Sequence, residues 1–418
     1  MKFNSTERRI LAISWLGHMF AHFYMIILAV LALRIAPDFT RDFGYSRGDT
    51  LALMIPAFAL FGIGSFPAGL ITDRWKARWM LMICMIGCGT FTVLAGLASG
   101  PASLCLILAG VGIFASIYHP AGLSMISRHV RARGWALGIN GVAGNIGIAL
   151  APFAAAFVSD LTSWRTTFIL LGLPGILVGL ACIWLGARHI QEPPAPRRSG
   201  PSEAGARYRL YFLVLCGALI FGGLGYRTTM VSAPALFVER VEVLEGPVEQ
   251  LMGWLGIQSR EGRLAPGNIM LSAAVLLGCV GQLVGGYLAD RRDLRILYLV
   301  FFMLAVPMAF LCSCLHELFL FAAFVIYFLL TLGMQSIENS LISRLTPDRW
   351  RSTAFGLKFI LTFGIGSLGV GLAGRLINQT GSAAGVFVYV GFFNTMVALL
   401  ALLLFLISRK AIPRLGQN

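Results

Sequence analysis

Ionisable side chains inside long apolar stretches are the part of this sequence most able to do chemistry. His18 and His22 are four residues apart, so they share one face if their stretch is helical. His119 stands directly before Pro120, which removes a helical hydrogen bond and can turn the histidine away from the helix. Imidazole titrates near pH 6.5, so these three histidines are candidates to bind a proton or a substrate.

The second half of the chain carries its own candidates. Arg227 keeps its charge at physiological pH, so it requires an anion or a carboxylate beside it. Glu338 is an acidic residue deep in an apolar stretch, and Gln335, three positions earlier, lies on the same helical face. A charge at the centre of a bilayer costs at least about 2.5–3.5 kcal/mol, so such groups are functional candidates by default. Lys358 and Arg375 lie nearer helix ends, and we expect them to extend to the membrane interface.

From these residue types we predict two roles. Arg227 attracts an anionic part of the substrate, and Glu338 or a histidine binds the coupling proton. The predicted substrate- and proton-binding residues are His18, His22, His119, Arg227, Gln335 and Glu338.

The elements that position these side chains are membrane-spanning helices. The 418 residues are 57% apolar and 12% charged, with a mean hydropathy of +0.80, which excludes an ordinary soluble domain. The apolar runs are continuous rather than alternating and reach the roughly 20 residues that a helix needs to cross a bilayer, so helices are predicted rather than a barrel. The twelve predicted spans lie near 11–33, 50–72, 79–98, 103–126, 136–158, 166–187, 210–237, 269–289, 296–314, 318–342, 354–377 and 384–407.

An internal repeat organises these spans into two sets of six. Gly69-Leu-Ile-Thr-Asp73-Arg74 is matched by Gly286-Tyr-Leu-Ala-Asp290-Arg291, and a second pair of phrases keeps nearly the same offset. Matched segments at a fixed long offset indicate a duplicated unit of roughly 200 residues. A stretch rich in Pro, Gly, Ser and Arg separates the halves and is typical of a flexible linker. We predict a six-helix bundle over 1–187, a cytoplasmic linker over 188–209 and a second six-helix bundle over 210–418.

The charge distribution predicts the orientation. The net charge of +15 comes from 33 Lys and Arg against 18 Asp and Glu, and most of the basic residues fall in the segments on one side of the predicted spans. This is the positive-inside pattern, so both termini are predicted to be cytoplasmic. The basic residues form no stripe with interleaved aromatic residues, so nucleic-acid binding is not expected.

Small residues recur in the fifth predicted span. In lipid, small side chains let helix backbones approach closely, so these positions predict tight helix contacts, with sliding during a conformational change as the alternative. The residues assigned to helix packing are Gly141, Gly144, Asn145, Gly147 and Pro152.

The repeated phrase resembles a family signature. Gly69-x-x-x-Asp73-Arg74, followed by Lys76 and Arg78, resembles the motif that the major facilitator superfamily carries between its second and third helices, and Gly286-x-x-x-Asp290-Arg291 is its weaker copy. The resemblance implies two pseudo-symmetric six-helix bundles and alternating access through a cavity lined chiefly by spans 1, 4, 7 and 10. The histidines, Arg227 and Glu338 fall on those four spans. An aspartate or arginine at the cytoplasmic ends of helices can act as a latch, so the predicted gating residues are Asp73, Arg74, Asp290 and Arg291.

A narrower resemblance covers less of the chain. Tyr118-His119-Pro120, the Gly144-Asn145-x-Gly147 run before Pro152, and His18 are similar to the fosmidomycin-resistance branch of that superfamily. That branch has an acidic residue four positions after the first histidine, where this chain has His22.

These observations predict a secondary transporter, favoured as a proton-coupled exporter of small organic molecules of the drug/proton antiport type. A proton-coupled importer of a small organic anion is the main alternative, and a transition-metal transporter is a less favoured one, because three histidines could supply ligands. An enzyme is not expected, since no nucleophile–base arrangement or phosphate loop is present. A sensor built on the same scaffold stays open.

The remaining expectations follow from this assignment. No cofactor and no bound metal are predicted. The expected partners are a small-molecule substrate, protons and the lipid bilayer, and the expected state is a monomer in the bacterial cytoplasmic (inner) membrane.

Overall fold

The computed structural model describes residues 3–185, 190, 203–254 and 264–409 of the chain. Within these ranges, twelve helical segments are long and apolar enough to cross a membrane, which confirms the predicted all-α class and its twelve spans. The candidate spans are Ser5–Ala32, Gly48–Arg74, Ala77–Ala95, Pro101–His129, Arg133–Leu161, Trp164–Trp184, Tyr208–Arg240, Pro266–Ala289, Leu294–Cys314, Glu317–Leu345, Asp348–Thr380 and Ala384–Ser408.

The chain divides into two compact units, and each is described by itself. Unit 1 comprises residues 1–199 together with 346–360, and unit 2 comprises residues 200–345 and 361–418. The α-helices of unit 1 are α1 (Ser5–Phe43), α2 (Arg47–Ala52), α3 (Ile55–Ile63), α4 (Ser65–Arg74), α5 (Ala77–Ala95), α6 (Pro101–Ala115), α7 (Tyr118–His129), α8 (Arg133–Leu161), α9 (Trp164–Leu185) and α15 (Arg351–Phe359). A short 3₁₀ turn, Asp348–Trp350, precedes α15.

The α-helices of unit 2 are α10 (Glu203–Arg240), α11 (Glu245–Trp254), α12 (Leu264–Ala289), α13 (Leu294–Cys314), α14 (Glu317–Leu345), α16 (Leu368–Thr380) and α17 (Ala384–Ser408). Its remaining turns are the 3₁₀ segments Glu242–Leu244 and Ile365–Ser367. A π-helical stretch, Ile360–Gly364, begins at the last residue of unit 1 and leads into the second of these turns.

Local sequence explains the helices that carry the histidines. Asn4 accepts a hydrogen bond from the backbone of Glu7 at 2.8 Å while the Glu7 carboxylate accepts one from the backbone of Asn4 at 2.9 Å, which caps the start of α1. Gly44 ends that helix in the left-handed conformation, with φ of 70°. The fourth span is interrupted between α6 and α7, just before Pro120, because proline cannot donate to the carbonyl one turn earlier.

Glycines bring neighbouring helices of unit 1 into close contact. A Cβ atom added to Gly147 of α8 would collide with the backbone of Met19 of α1, and one added to Gly144 would lie 2.6 Å from the ring of His18. Asn145 is buried beside them, Gly141 is half-buried, and Pro152 lies further along the same helix. The small residues of α8 therefore let α1 approach its backbone.

Unit 2 has the same kind of contact between α12 and α14. Cβ atoms added to Gly281 and Gly285 would collide with the carbonyl oxygens of Leu329 and Gly333. The core beside this contact is rich in buried aromatic rings, such as Phe324 and Phe328, whose centroids are 4.8 Å apart.

Two boundaries between the halves and the linker differ in the structure from the predicted ones. Helix α10 begins at Glu203, after the last proline of the predicted linker, so residues 203–209 are helical; residues 188, 189 and 191–202 of that linker lie outside the described residues. Residues 346–360, predicted in the second bundle, belong to unit 1, because α15 packs on α4 and α7. Glycine makes this possible, since a Cβ atom on Gly69 would lie 2.6 Å from the carbonyl oxygen of Ser352.

Candidate functional site

Three histidines from two helices form a cluster in the interior of unit 1. His18 and His22 project from α1, and His119 projects from the first turn of α7. The ring centroids are 4.9 Å apart for His18 and His22, and 5.2 Å apart for each of these with His119. One ring nitrogen from each residue lies within 4.8 Å of the others. His18 and His119 are buried and His22 is half-buried, so we call these three residues the histidine cluster.

The orientation of His18 is fixed from three sides. Its Nδ1 lies 2.6 Å from the backbone oxygen of Asn140, and because a carbonyl only accepts, we assign the Nδ1 proton to this bond. Tyr118 stacks on the ring at a centroid distance of 4.5 Å, while its hydroxyl donates to Asn140 Oδ1 at 2.7 Å. Gly144 lies against the Nε2 edge of the ring. Nε2 of neutral His18 is therefore the nitrogen able to accept a proton or bind a ligand.

His119 is held by a residue far away in sequence. Its ring stacks on Phe359 of α15, with a centroid distance of 3.7 Å and an interplanar angle of 16°. Lys358 is next to Phe359 and is only 5% exposed, with its Nζ 5.6 Å from the centroid of the Phe359 ring. The prediction that Lys358 extends to the membrane interface is therefore wrong, because α15 packs inside unit 1 and buries the side chain. The amino group of Lys358 therefore lies near the ring that stacks on His119.

Arg227 is the main charged candidate of unit 2. It projects from α10, and its guanidinium carbon lies 4.5 Å from the centroid of the Phe363 ring. Its Nε is buried and has no hydrogen-bond acceptor, and no carboxylate forms an ion pair with it among the residues that the structure describes. Arginine stacks well on aromatic faces but keeps its full charge there. The arrangement can accept an anion from outside the protein.

Glu338 and Gln335 lie on α14 but contact different neighbours. The hydroxyl of Tyr298 on α13 donates to Glu338 Oε2 at 3.0 Å, and both side chains are buried. Gln335 Oε1 accepts a hydrogen bond from Gln282 Nε2 of α12 at 3.1 Å. The structure thus places Arg227, Gln335 and Glu338 in unit 2 and the histidines in unit 1. The hydrogen bonds of Glu338 and Gln335 are to polar residues of unit 2.

Asp73, one of the predicted gating residues, caps the N-terminus of α15. Its carboxylate accepts hydrogen bonds from the backbone nitrogens of Ser352 at 2.9 Å and Thr353 at 2.7 Å, in the first turn of α15, and from the Thr353 hydroxyl at 2.7 Å. Arg128 donates to the same carboxylate at 2.7 Å and also to the backbone oxygen of Asp348 at 2.6 Å. A negative charge at the N-terminus of a helix is stabilised by the unpaired backbone donors there.

The other predicted gating residues are more exposed. Arg74 is exposed at the end of α4, and Asp290 is half-buried after α12. Arg291 is exposed and folds back over Tyr287, with its guanidinium carbon 3.6 Å from the ring centroid and a hydrogen bond of 3.3 Å to the carbonyl oxygen of that residue.

Sequence reasoning overlooked several residues that support these sites. Asn140 lies among the small residues of the fifth span, and its polar side chain one turn before Gly144 is a signal that the sequence does offer. The sequence does not predict that Lys358 and Phe359 lie near His119, because hydrophobic periodicity carries no information about contacts between positions so far apart in the chain. In unit 2, the buried group of Thr229, Tyr327 and Asn394 was also missed; Asn394 Nδ2 donates to the Tyr327 hydroxyl at 3.2 Å.

Comparisons with known proteins agree with this architecture. A family model described as Major Facilitator Superfamily matches residues 14–357. The human organic anion transporter MFSD10 (TETRAN) superposes with a TM-score of 0.68 and 15% identity over 95% of this chain and 100% of that one, a likeness that concerns the fold alone.

Two relatives are similar in sequence over part of the chain. A "Probable L-galactonate transporter" of Escherichia coli (strain K12) is 24% identical over 60% of this chain and 55% of its own length. The "Membrane sensor protein UhpC" of Salmonella typhimurium (strain LT2) is 29% identical over 43% of this chain and 40% of its own length. The chain thus matches about half of the length of these relatives.

Proposed function

This chain belongs to the major facilitator superfamily, and from that premise we propose that it couples protons to the transport of a small organic anion. Members of the family are not enzymes; they move small solutes through a membrane by alternating access. The single observation that carries the anion proposal is Arg227, a membrane-embedded cation with no ion pair among the described residues.

The anionic substrate follows from the cost of burying charge. A guanidinium in a span is expensive unless an anion accompanies it, and stacking on Phe363 leaves its charge uncompensated. A carboxylate is the natural partner, because guanidinium and carboxylate match in a two-pronged geometry. A relative named as an L-galactonate transporter supports a carboxylate solute.

The histidine cluster supports proton coupling. Three imidazoles within contact distance of one another can share one proton, whereas like-charge repulsion opposes a second. The fixed tautomer of His18 leaves Nε2 as the acceptor. We place the coupling proton on this cluster rather than on Glu338, whose carboxylate accepts a hydrogen bond from Tyr298 inside unit 2.

The sign of the charges favours symport. A proton bound to the histidine cluster adds a positive charge, which favours an anion and opposes a cation. Protons and an anionic solute then bind together, so an inward proton gradient drives uptake.

Outward antiport is the second candidate, and it is the direction that the sequence analysis favoured. It is supported by the resemblance of His18, Tyr118-His119-Pro120 and Gly144-Asn145-x-Gly147 to the fosmidomycin-resistance branch, an assignment that remains a prediction. Antiport requires that solute and proton compete, which a cationic solute would do.

A ligand screen distinguishes these proposals. Purified protein is tested by thermal shift against matched sets of carboxylate, neutral and amine solutes, including L-galactonate, at pH 5.5 and 7.5. We expect stabilisation by carboxylates that is larger at pH 5.5 and absent in Arg227→Gln. Arg375→Gln is the matched control, because Arg375 is an exposed arginine of α16. Stabilisation by amines that weakens at low pH supports antiport and contradicts the anion proposal.

A sensor is the remaining alternative, and the UhpC relative is the observation that favours it. Proteoliposomes preloaded with an unlabelled carboxylate identified in the screen are diluted into the labelled compound. We expect transient accumulation of label by counterflow. Binding without counterflow would identify a sensor.

The capping of α15 by Asp73 supports a gating role. Because one carboxylate accepts three hydrogen bonds from residues 352 and 353, we propose that its release accompanies a step of the transport cycle. Arg74, Asp290 and Arg291 remain predicted gating residues, with smaller roles than Asp73.

The proposed setting is that of the sequence analysis: a monomer in a bacterial inner membrane with both termini in the cytoplasm. Reporter fusions at residues 1 and 418 test the orientation. If both termini are cytoplasmic, a fluorescent-protein fusion is fluorescent at either terminus, and an alkaline-phosphatase fusion is inactive at either terminus.

A further inference from the structure

The histidine cluster has the geometry of a metal site. In tetrahedral coordination, ring nitrogens lie about 2.0–2.1 Å from the ion, which places the centroids of three imidazoles about 5.2 Å apart. The observed separations are 4.9, 5.2 and 5.2 Å. We propose that His18, His22 and His119 bind one divalent first-row transition-metal ion, with Zn²⁺ or Co²⁺ as its probe.

Little rearrangement is needed to reach bonding distance. The ligand nitrogens lie within 4.8 Å of one another, whereas three nitrogens around one tetrahedral ion are about 3.4 Å apart. Rotation about χ2 moves a ring nitrogen by an ångström or more, and that torsion is soft for histidine. Ring positions therefore already suit the ion, and small rotations bring the nitrogens together.

The surroundings of His18 are those of a metal ligand. A ligating histidine normally donates its other ring N–H to a carbonyl or carboxylate, which fixes the tautomer and aims the free nitrogen. Here Nδ1 is bound to the Asn140 oxygen at 2.6 Å, and the ring packs against Gly144, which has no side chain to displace it. The neighbouring Tyr118 ring keeps the imidazole in that plane.

Three protein ligands leave a fourth coordination position open. Imidazole suits Zn²⁺, Co²⁺, Ni²⁺ and Cu²⁺, and the cluster offers no hard oxygen set of the kind that Mg²⁺ or Ca²⁺ requires. Lys358 lies near the Phe359 ring that stacks on His119, and a lysine there favours an anion or hydroxide over neutral water as the fourth ligand. Ion binding requires neutral imidazoles and therefore competes with protons.

The test is direct binding, which does not depend on any transported solute. Chelator-treated full-length protein, with any polyhistidine tag removed, is titrated with Co²⁺ and followed by visible absorption and calorimetry. We expect one Co²⁺ per chain with the intense bands of tetrahedral coordination, displaced by Zn²⁺. Affinity should fall by more than about 100-fold in His18→Asn, His22→Asn and His119→Gln.

Matched controls and a second measurement keep the test decisive. His129→Ala and His316→Ala remove histidines outside the cluster and should bind as the wild type does. If a cluster variant fails to fold by thermal melting, X-ray absorption of the Zn²⁺-loaded wild type replaces it, and three imidazole ligands are expected. Binding weaker than millimolar, binding that persists in folded cluster variants, or a coordination shell of oxygen or sulfur would overturn the proposal.

Discussion

Unit 1 and unit 2 carry different chemistry at positions that the internal repeat makes equivalent. His119 of α7 corresponds to Gln335 of α14 at the repeat offset. The first lies in a cluster of three imidazoles, whereas the second forms an amide hydrogen bond with Gln282. Unit 1 thus holds imidazoles, a type of group that can gain or lose a proton, and unit 2 holds Arg227, which keeps its charge. Under the proposed function, the duplication preserved the helices while the two halves took different tasks, proton binding in one and anion binding in the other.

The largest expected effect comes from removing the fixed charge of unit 2. Arg227→Gln leaves a carboxylate substrate without its charged partner, a loss of about 3 kcal/mol, or roughly 100-fold in kcat/KM. Arg227→Lys should retain part of the activity, because the charge remains while the planar fork is lost. Initial rates of carboxylate uptake in proteoliposomes measure both. Unchanged rates in Arg227→Gln, with Arg375→Gln also unchanged, would remove Arg227 from the site.

The second prediction replaces His119 of unit 1 by glutamine, the residue type that unit 2 has at the equivalent position. His119→Gln should abolish accumulation driven by a pH gradient but retain counterflow, because Gln keeps a polar side chain at this position and cannot carry the proton. A gradient of one pH unit stores about 1.4 kcal/mol per proton and supports about tenfold accumulation. The expected accumulation ratio for the variant is therefore near 1. A wild-type ratio would place the coupling proton elsewhere.

A third prediction compares the two copies of the repeated phrase. Asp73→Asn loses the charge that caps α15, which costs about 1–2 kcal/mol and should change turnover several-fold. Asp290→Asn should change turnover less. Stopped-flow counterflow measures the rates, with expression and thermal melting as controls. Equal effects of the two substitutions would contradict the assignment of the latch to Asp73.

A smaller effect is expected from crowding the cluster without removing a histidine. The Cβ atom of Gly144→Ala would lie 2.6 Å from the His18 ring, which is held between Tyr118 and Asn140, so the ring must shift. Overpacking of this kind costs about 1–3 kcal/mol and should lower proton-driven transport a few-fold. Gly371→Ala is the matched control, because its Cβ atom meets nothing within 4 Å. Thermal melting and uptake are measured together.

The smallest effect is expected at Glu338. Glu338→Gln retains an acceptor for the Tyr298 hydroxyl, so gradient-driven transport should stay within about twofold of the wild type. Loss of gradient-driven transport with normal counterflow would instead make Glu338 the proton site, as one reading of the sequence allowed.

Much of the fold was predictable because it depends on local composition. Continuous apolar runs fixed the twelve spans, and the Gly-x-x-x-Asp-Arg repeat predicted the duplication. The four-residue spacing of His18 and His22 correctly indicated a shared face of α1, and Pro120 marked the break before α7.

The missed features depend on contacts that periodicity does not encode. Nothing in the local pattern of residues 346–360 indicates that α15 belongs to unit 1, because that follows from capping by Asp73 and from the close approach at Gly69. The burial of Lys358 follows from the same packing. Likewise, His119 joins the other histidines only through the packing of α1 against α7.

Proton exchange on solute binding tests the central claim most directly. Purified protein in weak buffer at pH 6.5 is mixed with the carboxylate that stabilises it most, and the change in pH is recorded. We expect proton uptake by the wild type and none by a variant carrying His18→Asn, His22→Asn and His119→Gln that still binds the solute. Proton release by the wild type, or undiminished uptake by the variant, would contradict a proton site in the histidine cluster that favours anion binding.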